Sequence, residues 1–207
     1  MIEQQIRPWE VLDPTVLDTL RRIPRERFVP EDRRELAFAD IQLSIGHGEV
    51  MMEPKIEARL VQELDLTGGE KVLEVGTGSG YVTALLACLA ASVVSVEIYK
   101  DFSNRAAEKL KETGIGNVIL EAGDASKGWP STGGFDAIIL TGSVPELPAA
   151  FTDALKPGGR LVAIVGSDPV MEAIRIEKGG EKLQRTSLFD TTLPPLVNAV
   201  APRRFVF

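Results

Sequence analysis

From Lys71 onward the hydrophobic pattern of the chain alternates between two periods. Five short runs, KVLEV (71–75), SVVSVE (92–97), NVILE (117–121), FDAIILT (135–141) and RLVAIV (160–165), are rich in Val, Ile and Leu and apolar on both faces. Such runs are strands buried on both sides, as in a parallel sheet covered by helices. Between them the apolar spacing becomes helical over 79–90, 101–113 and 146–155, with Gly114 and LKPGG as stop signals. Two later segments, around 172–178 and 183–193, predict a terminal antiparallel pair turned by EKGGEK. The sum is an α/β, doubly wound, mostly parallel seven-stranded sheet.

The first 68 residues follow another pattern. VLDPTVLDTLRRI predicts a helix with Asp13 as N-cap and Pro14 at its first position, and PKIEARLVQELDL predicts a second. RERFVPEDRRELAFADIQLSIGHGEVMMEP (25–54) between them is expected to be irregular chain and short helix. TGGEK (67–71) is only a loop, so no linker divides the chain. The expected organisation is one domain over 1–207, a helical N-terminal subdomain (1–68) packed on an α/β core (69–207).

Composition narrows the function. The chain has 207 residues, 44% hydrophobic and 26% charged, enough to bury a core without disulfides or metal. Its net charge of −7 argues against general affinity for nucleic acid or anionic membrane. The single cysteine, Cys88, sits mid-helix in LLACLA and reads as a core thiol; the single histidine, His47, cannot make a histidine-rich metal site. No residue from Val75 to Val96 is charged, but GTGSG, Ser92 and Ser95 divide that stretch into a glycine loop, a helix and a buried strand, not a membrane span. The opening MIEQQIRPWE lacks a basic start and apolar run, so a cytoplasmic location is expected. The arginines of 21–35 are interleaved with Glu26, Glu31, Asp32 and Glu35 and read as a solvated surface.

The strongest chemical signal is VLEVGTGSGY (72–81), a strand running through Gly76, Thr77, Gly78, Ser79 and Gly80 into a helix. Glycines permit a tight turn and close approach of a ligand, and the helix start offers unpaired N–H groups. The dinucleotide fingerprint would need glycine where Tyr81 stands, and a phosphate-binding P-loop would end in Gly-Lys-Ser/Thr; neither fits. Glu97 ends the second strand, 21 residues beyond Gly76, where a carboxylate can accept from both ribose hydroxyls of a nucleoside. Asp124, after the third strand, can accept from an adenine amino group.

This trio resembles the class I S-adenosylmethionine-dependent methyltransferases, a Rossmann-like fold, over about residues 68–165. Thr141-Gly142-Ser143-Val144-Pro145 after the fourth strand does not match the Asp/Asn-Pro-Pro-aromatic motif of amino-methylating nucleic-acid enzymes. A resemblance over nearly the whole chain is carried by PRERFVP (24–30), LAFAD (36–40), IGHGEVMMEP (45–54), LEVGTGSGY (73–81), FDAIILTGSVPELP (135–148) and LKPGGRLVAIVG (155–166). These blocks are similar to those of the protein-L-isoaspartate O-methyltransferases, which methylate isoaspartyl carboxyls in damaged proteins and so begin their repair. The resemblance implies S-adenosyl-L-methionine as cofactor, held by Glu74, Gly76, Thr77, Gly78, Ser79, Gly80, Glu97 and Asp124. It implies isoaspartyl proteins or peptides as substrate, no nucleic acid, membrane or metal, and an acceptor carboxylate bordered by 45–54 and 141–145.

One block departs from the family. Where its members usually carry Gln-Thr-Ile-Ser, this chain has Glu49-Val50-Met51-Met52, so the threonine and serine hydroxyls are replaced by Val50 and Met52. Candidates at the acceptor site are then His47, Glu49, Met52, Thr141 and Ser143, the last two able to replace the missing hydroxyls. Two rival readings follow: a divergent member acting on another acceptor, or a non-catalytic cofactor-binding module. The ending PPLVNAVAPRRFVF carries aromatics expected to pack back on the body.

Overall fold

In the computed structural model, residues 1–130, 132–180 and 182–200 are described. The N-terminal segment holds a π-helical turn, Ile2–Ile6, and three 3-10 turns, Arg7–Trp9, Arg25–Arg27 and Glu31–Leu36. Helix α1 (Pro14–Arg22) starts as the sequence predicts: Asp13 Oδ1 accepts from the N–H groups of Thr15 (2.7 Å) and Val16 (3.0 Å). Such a cap contributes about 1 kcal/mol. A hairpin then precedes helix α2 (Pro54–Glu63): β1 (Leu43–Gly46) pairs antiparallel with β2 (Glu49–Met51).

The hairpin corrects the expectation of irregular chain there. Its strands have four and three residues, too short to show an alternating pattern. The turn between them places His47 at φ +54° and Gly48 at φ +85°.

The sheet comprises β3 (Lys71–Val75), β4 (Ser92–Glu97), β5 (Val118–Ala122), β6 (Phe135–Leu140), β7 (Leu155–Ser167), β8 (Val170–Gly179) and β9 (Lys182–Asp190). Their order is β5-β4-β3-β6-β7-β8-β9. Pairing is parallel from β5 through β7, and β8 runs antiparallel to both β7 and β9. Strand β7 begins five residues earlier than its apolar run suggests, because LKPGG already lies along β6. The expected β8–β9 turn includes Glu181, which lies outside the described residues, as do residues 201–207 of the aromatic ending.

Helices α3 (Tyr81–Leu89) and α4 (Lys100–Glu112) follow β3 and β4, and the short α5 (Ala149–Asp153) follows β6. Alternate strand residues feed two cores. Val72, Val93, Ile139 and Val162 pack with α1, α2 and α3, while Leu73, Val94, Ile138 and Leu161 pack with Phe151 of α5 and Trp129. The N-terminal residues Ile6, Leu20 and Leu60 thus share one apolar cluster with the sheet. Cys88 is half-buried on α3 rather than enclosed in the core. Among the described residues no helix is long and apolar enough to cross a membrane; the uncharged 75–96 stretch is a loop, α3 and β4.

Candidate active site

Strand order reverses at β3, where β4 lies on one side and β6 on the other. Ligands of open α/β sheets bind outside the carboxyl ends of the strands at such a point. A cleft of about 570 Å³ lies there, and Gly76, Gly78, Glu97, Asp124, Thr141 and Glu49 contribute to its wall.

The glycine loop shapes this wall. Gly76 has φ +99° and Gly78 φ +51°, a region where side chains are strained. Gly80, at φ +83°, meets α4 so closely that a Cβ would stand 2.9 Å from that of Ala106; it serves helix packing and does not line the cleft. Glu97, almost fully buried at the end of β4, accepts from Gly78 N–H (2.8 Å) through Oε2 and from Tyr99 N–H (2.9 Å) through Oε1. The carboxylate is fixed against the loop, at the cleft.

Asp124 accepts from Ser126 N–H (2.9 Å) and from Asn198 Nδ2 (2.9 Å). The Ser126 amide is the main reason its carboxyl lies below the usual range. Leu196 and Val197 complete the cleft, and Leu196 packs so closely on Gly142 that a Cβ there would come within 2.7 Å of it. The sequence reading missed this C-terminal contribution, since LPPLVNA has neither helical nor strand periodicity.

Glu74 does not line the cleft. It is fully buried in β3 and accepts from Thr83 Oγ1 (2.5 Å) and Ser95 Oγ (2.6 Å). Ser95 Oγ in turn lies 2.5 Å from Thr77 Oγ1, so Glu74 supports the loop from below. Burial pushes the Glu74 carboxyl up to about 8, with the nearby Glu97 adding to the rise. Ser79 Oγ accepts from Tyr81 N–H at 3.2 Å.

A smaller cavity of about 290 Å³ adjoins the cleft and shares Val50, Gly76, Gly78 and Thr141 with it. Met52, Thr77, Ser79 and Glu57 also line it. The five acceptor candidates therefore separate. Glu49 faces the cleft, and burial, followed by the Glu97 charge, raises its pKa. Met52 and Thr141 face the smaller cavity. Thr141 Oγ1 lies within donating distance of Val75 O (2.9 Å) and Gly76 O (2.5 Å).

Ser143 and His47 line neither space. Ser143 is fully buried and donates to Leu193 O (2.7 Å), because the C-terminal segment covers the end of β6. His47 lies flat on the Tyr99 ring at 4.1 Å between centroids, with Nε2 3.0 Å from Asp101 Oδ1; it anchors the hairpin turn to α4.

One buried residue was read as surface. Arg25 is 1% exposed; its Nε donates to Glu57 Oε2 (2.8 Å) and its Nη2 to Met52 O (2.6 Å), and it also reaches Ala37 O. It thereby holds the main chain of the departing block.

Comparison with known proteins matches this chain over residues 1–201 to the model of the protein-L-isoaspartate(D-aspartate) O-methyltransferases. Protein-L-isoaspartate O-methyltransferase 1 of Rhodopseudomonas palustris (strain HaA2) is 41% identical over 96% of this chain and 78% of its own length. Its namesake in Anaeromyxobacter sp. (strain Fw109-5) is 43% identical over 91% of each. A crystal structure from Plasmodium falciparum, assigned as a beta-aspartate methyltransferase and solved with S-adenosyl-L-homocysteine, superimposes with a TM-score of 0.78 at 24% identity. It covers 92% of this chain and 94% of that one, and shares the fold. With the matched blocks on both sides of the cleft, the chain belongs to the protein-L-isoaspartate(D-aspartate) O-methyltransferase family.

Proposed function

We propose that this chain transfers the methyl group of S-adenosylmethionine to the carboxyl of isoaspartyl residues in damaged polypeptides. The observation that carries the reading is the fit of the cleft to a nucleoside cofactor. Gly76 and Gly78 present bare main chain at positive φ, and the Glu97 carboxylate is held in the wall by two N–H groups. Glu97 would accept from the ribose hydroxyls and Asp124 from the adenine amino group, with Gly76 and Gly78 lying along the cofactor. Thr77, Ser79, Gly80 and Glu74 would hold the loop in shape, on the bonds and contacts described above. Residues 1–207 would act as one unit, the helical segment 1–68 closing the acceptor side.

The cofactor supplies an electrophilic methyl on a sulfonium. An acceptor carboxyl of ordinary pKa, about 4, is already ionised at neutral pH, so the protein need not remove a proton from it. The chain's residues orient the acceptor and exclude water. Glu49 on the cleft wall favours a second reading, in which the acceptor is not a carboxylate, because two like charges side by side repel.

Transfer of labelled methyl from S-adenosylmethionine to an isoaspartyl peptide, beside its aspartyl twin, tests the proposal. Labelling of the isoaspartyl peptide alone is expected. If neither peptide is labelled while calorimetry shows cofactor binding, the carboxyl acceptor is wrong and the second reading stands.

A further inference from the structure

A groove of about 820 Å³ adjoins the glycine loop on the side of α4, and four cations line it: Arg27, Arg34, Arg105 and Lys109. Glu31 is the single acid in its lining. The groove shares Ile45 and Gly78 with the cleft and Ser79 with the smaller cavity, so it runs into the site where the acceptor would lie. The surroundings make this concentration unusual, because the whole chain carries a net charge of −7.

Three of the four side chains have no acidic partner among the described residues. Arg27 and Arg34 are exposed, and neither guanidinium has an ion-pair or hydrogen-bond partner among the described residues. Lys109 Nζ is held on Phe28 O at 2.7 Å, where burial and the Arg105 charge pull its pKa down to about 8. Arg105 alone meets an acid, Asp101 at 3.2 Å, and lies over the Phe102 ring. Like charges collected at one wall disfavour one another, and an anion between them would relieve the repulsion.

We propose that this groove receives an acidic stretch of the polypeptide substrate flanking the isoaspartyl residue, and so makes the enzyme select damaged sites in acidic sequence. The inference rests on the carboxyl-methylation reading, which supplies a polypeptide whose acceptor sits in the adjoining site. Charge complementarity and continuity with that site single out a substrate flank over a detached anion.

The test uses isoaspartyl peptides of one central sequence with Asp/Glu, Gln/Ser or Lys flanks, and the double variant Arg27→Gln/Arg34→Gln. Fluorescence anisotropy of the labelled peptides on enzyme saturated with S-adenosylhomocysteine reads the groove directly. The acidic peptide is expected to bind tightest, less so at high salt, and to weaken about three- to tenfold in the double variant, as for two exposed ion pairs. The neutral peptide should bind the variant unchanged. With turnover, the same factor should appear in KM for the acidic peptide and not in kcat.

Equal binding of the three peptides to the native enzyme, or an acidic peptide indifferent to the double variant, overturns the proposal. A loss of S-adenosylhomocysteine affinity in the variant also overturns it, since the groove would then serve the cofactor. Absence of methylation with every peptide counts against the carboxyl-methylation reading, while the binding isotherms still decide the groove.

Discussion

At the residue scale, the departing block poses one question: what holds the acceptor without the family's usual hydroxyls? The two substitutes visible in the sequence fare differently in space. Ser143 is buried against Leu193 O, and Thr141 already directs its one hydroxyl proton at the main chain of Val75 and Gly76. Met52 therefore remains the position where a hydroxyl would matter, since this residue lines the small cavity. Met52→Ser is expected to raise isoaspartyl methylation about tenfold, the worth of one hydrogen bond to a charged acceptor. It should also destabilise the fold by about 2–4 kcal/mol, because a methionine 3% exposed is replaced by a small side chain. Initial rates with labelled cofactor, alongside a denaturant titration, would measure both; an unchanged rate means that the pocket no longer receives a carboxylate. The loss of the hydroxyls was plain in the sequence, but the fate of their replacements was not. Which oxygen a serine meets depends on the C-terminal segment folding over β6, a contact between residues fifty positions apart.

At the element scale, the parallel strands and α1 to α4 were legible because burial on both faces and helical spacing leave strong periodic marks. The β1–β2 hairpin was not, and neither was the residue that seats it. Six arginines between 21 and 35 carry no mark that tells one from another, yet Arg25 alone is enclosed. It joins the 3-10 turn Arg25–Arg27 to Glu57 on α2, to Met52 O after the hairpin, and to the face of the Tyr81 ring on α3, 5.6 Å from its centroid. Removing Arg25 leaves the Glu57 carboxyl buried without its donor, either charged and unpaired or forced to keep a proton. Arg25→Met is expected to cost about 3–5 kcal/mol in urea unfolding. Arg25→Met/Glu57→Met should regain part of that loss, since two apolar side chains avoid the uncompensated charge. A double variant as unstable as the single would mean that the bonds to Met52 O and Ala37 O, not the ion pair, hold the hairpin exit.

At the scale of the whole molecule, one acid in the centre of the sheet sets how stability depends on pH. The family resemblance placed Glu74 with the cofactor loop, and alternation alone could not say which face of β3 it takes. In the fold it is fully buried, with no cation beside it and no partner for Oε1 among the described residues, and its pKa rises to about 8. Glu57 behaves alike, pushed by burial up to about 7 despite Arg25. Between the ordinary glutamate range and these values the folded chain keeps protons that the unfolded chain releases, so folding takes up protons. Stability is then greatest at the acid end of this window and is lost as pH rises toward 8. The acids with lowered pKa, Asp136 and Glu70 among them, act in the opposite sense, but their contribution is complete above about pH 5. Thermal unfolding of the native chain is therefore expected at falling temperatures from pH 5 to 8. Glu74→Gln keeps the acceptor oxygen for Thr83 and Ser95 and removes the titration, so across pH 7–8, where Glu57 is passing its own midpoint, the variant should decline only about a quarter as steeply as the native chain. A parallel decline of both proteins across pH 7–8 would show that Glu74 is ionised in the fold and that Thr83 and Ser95 are donors enough to keep it so.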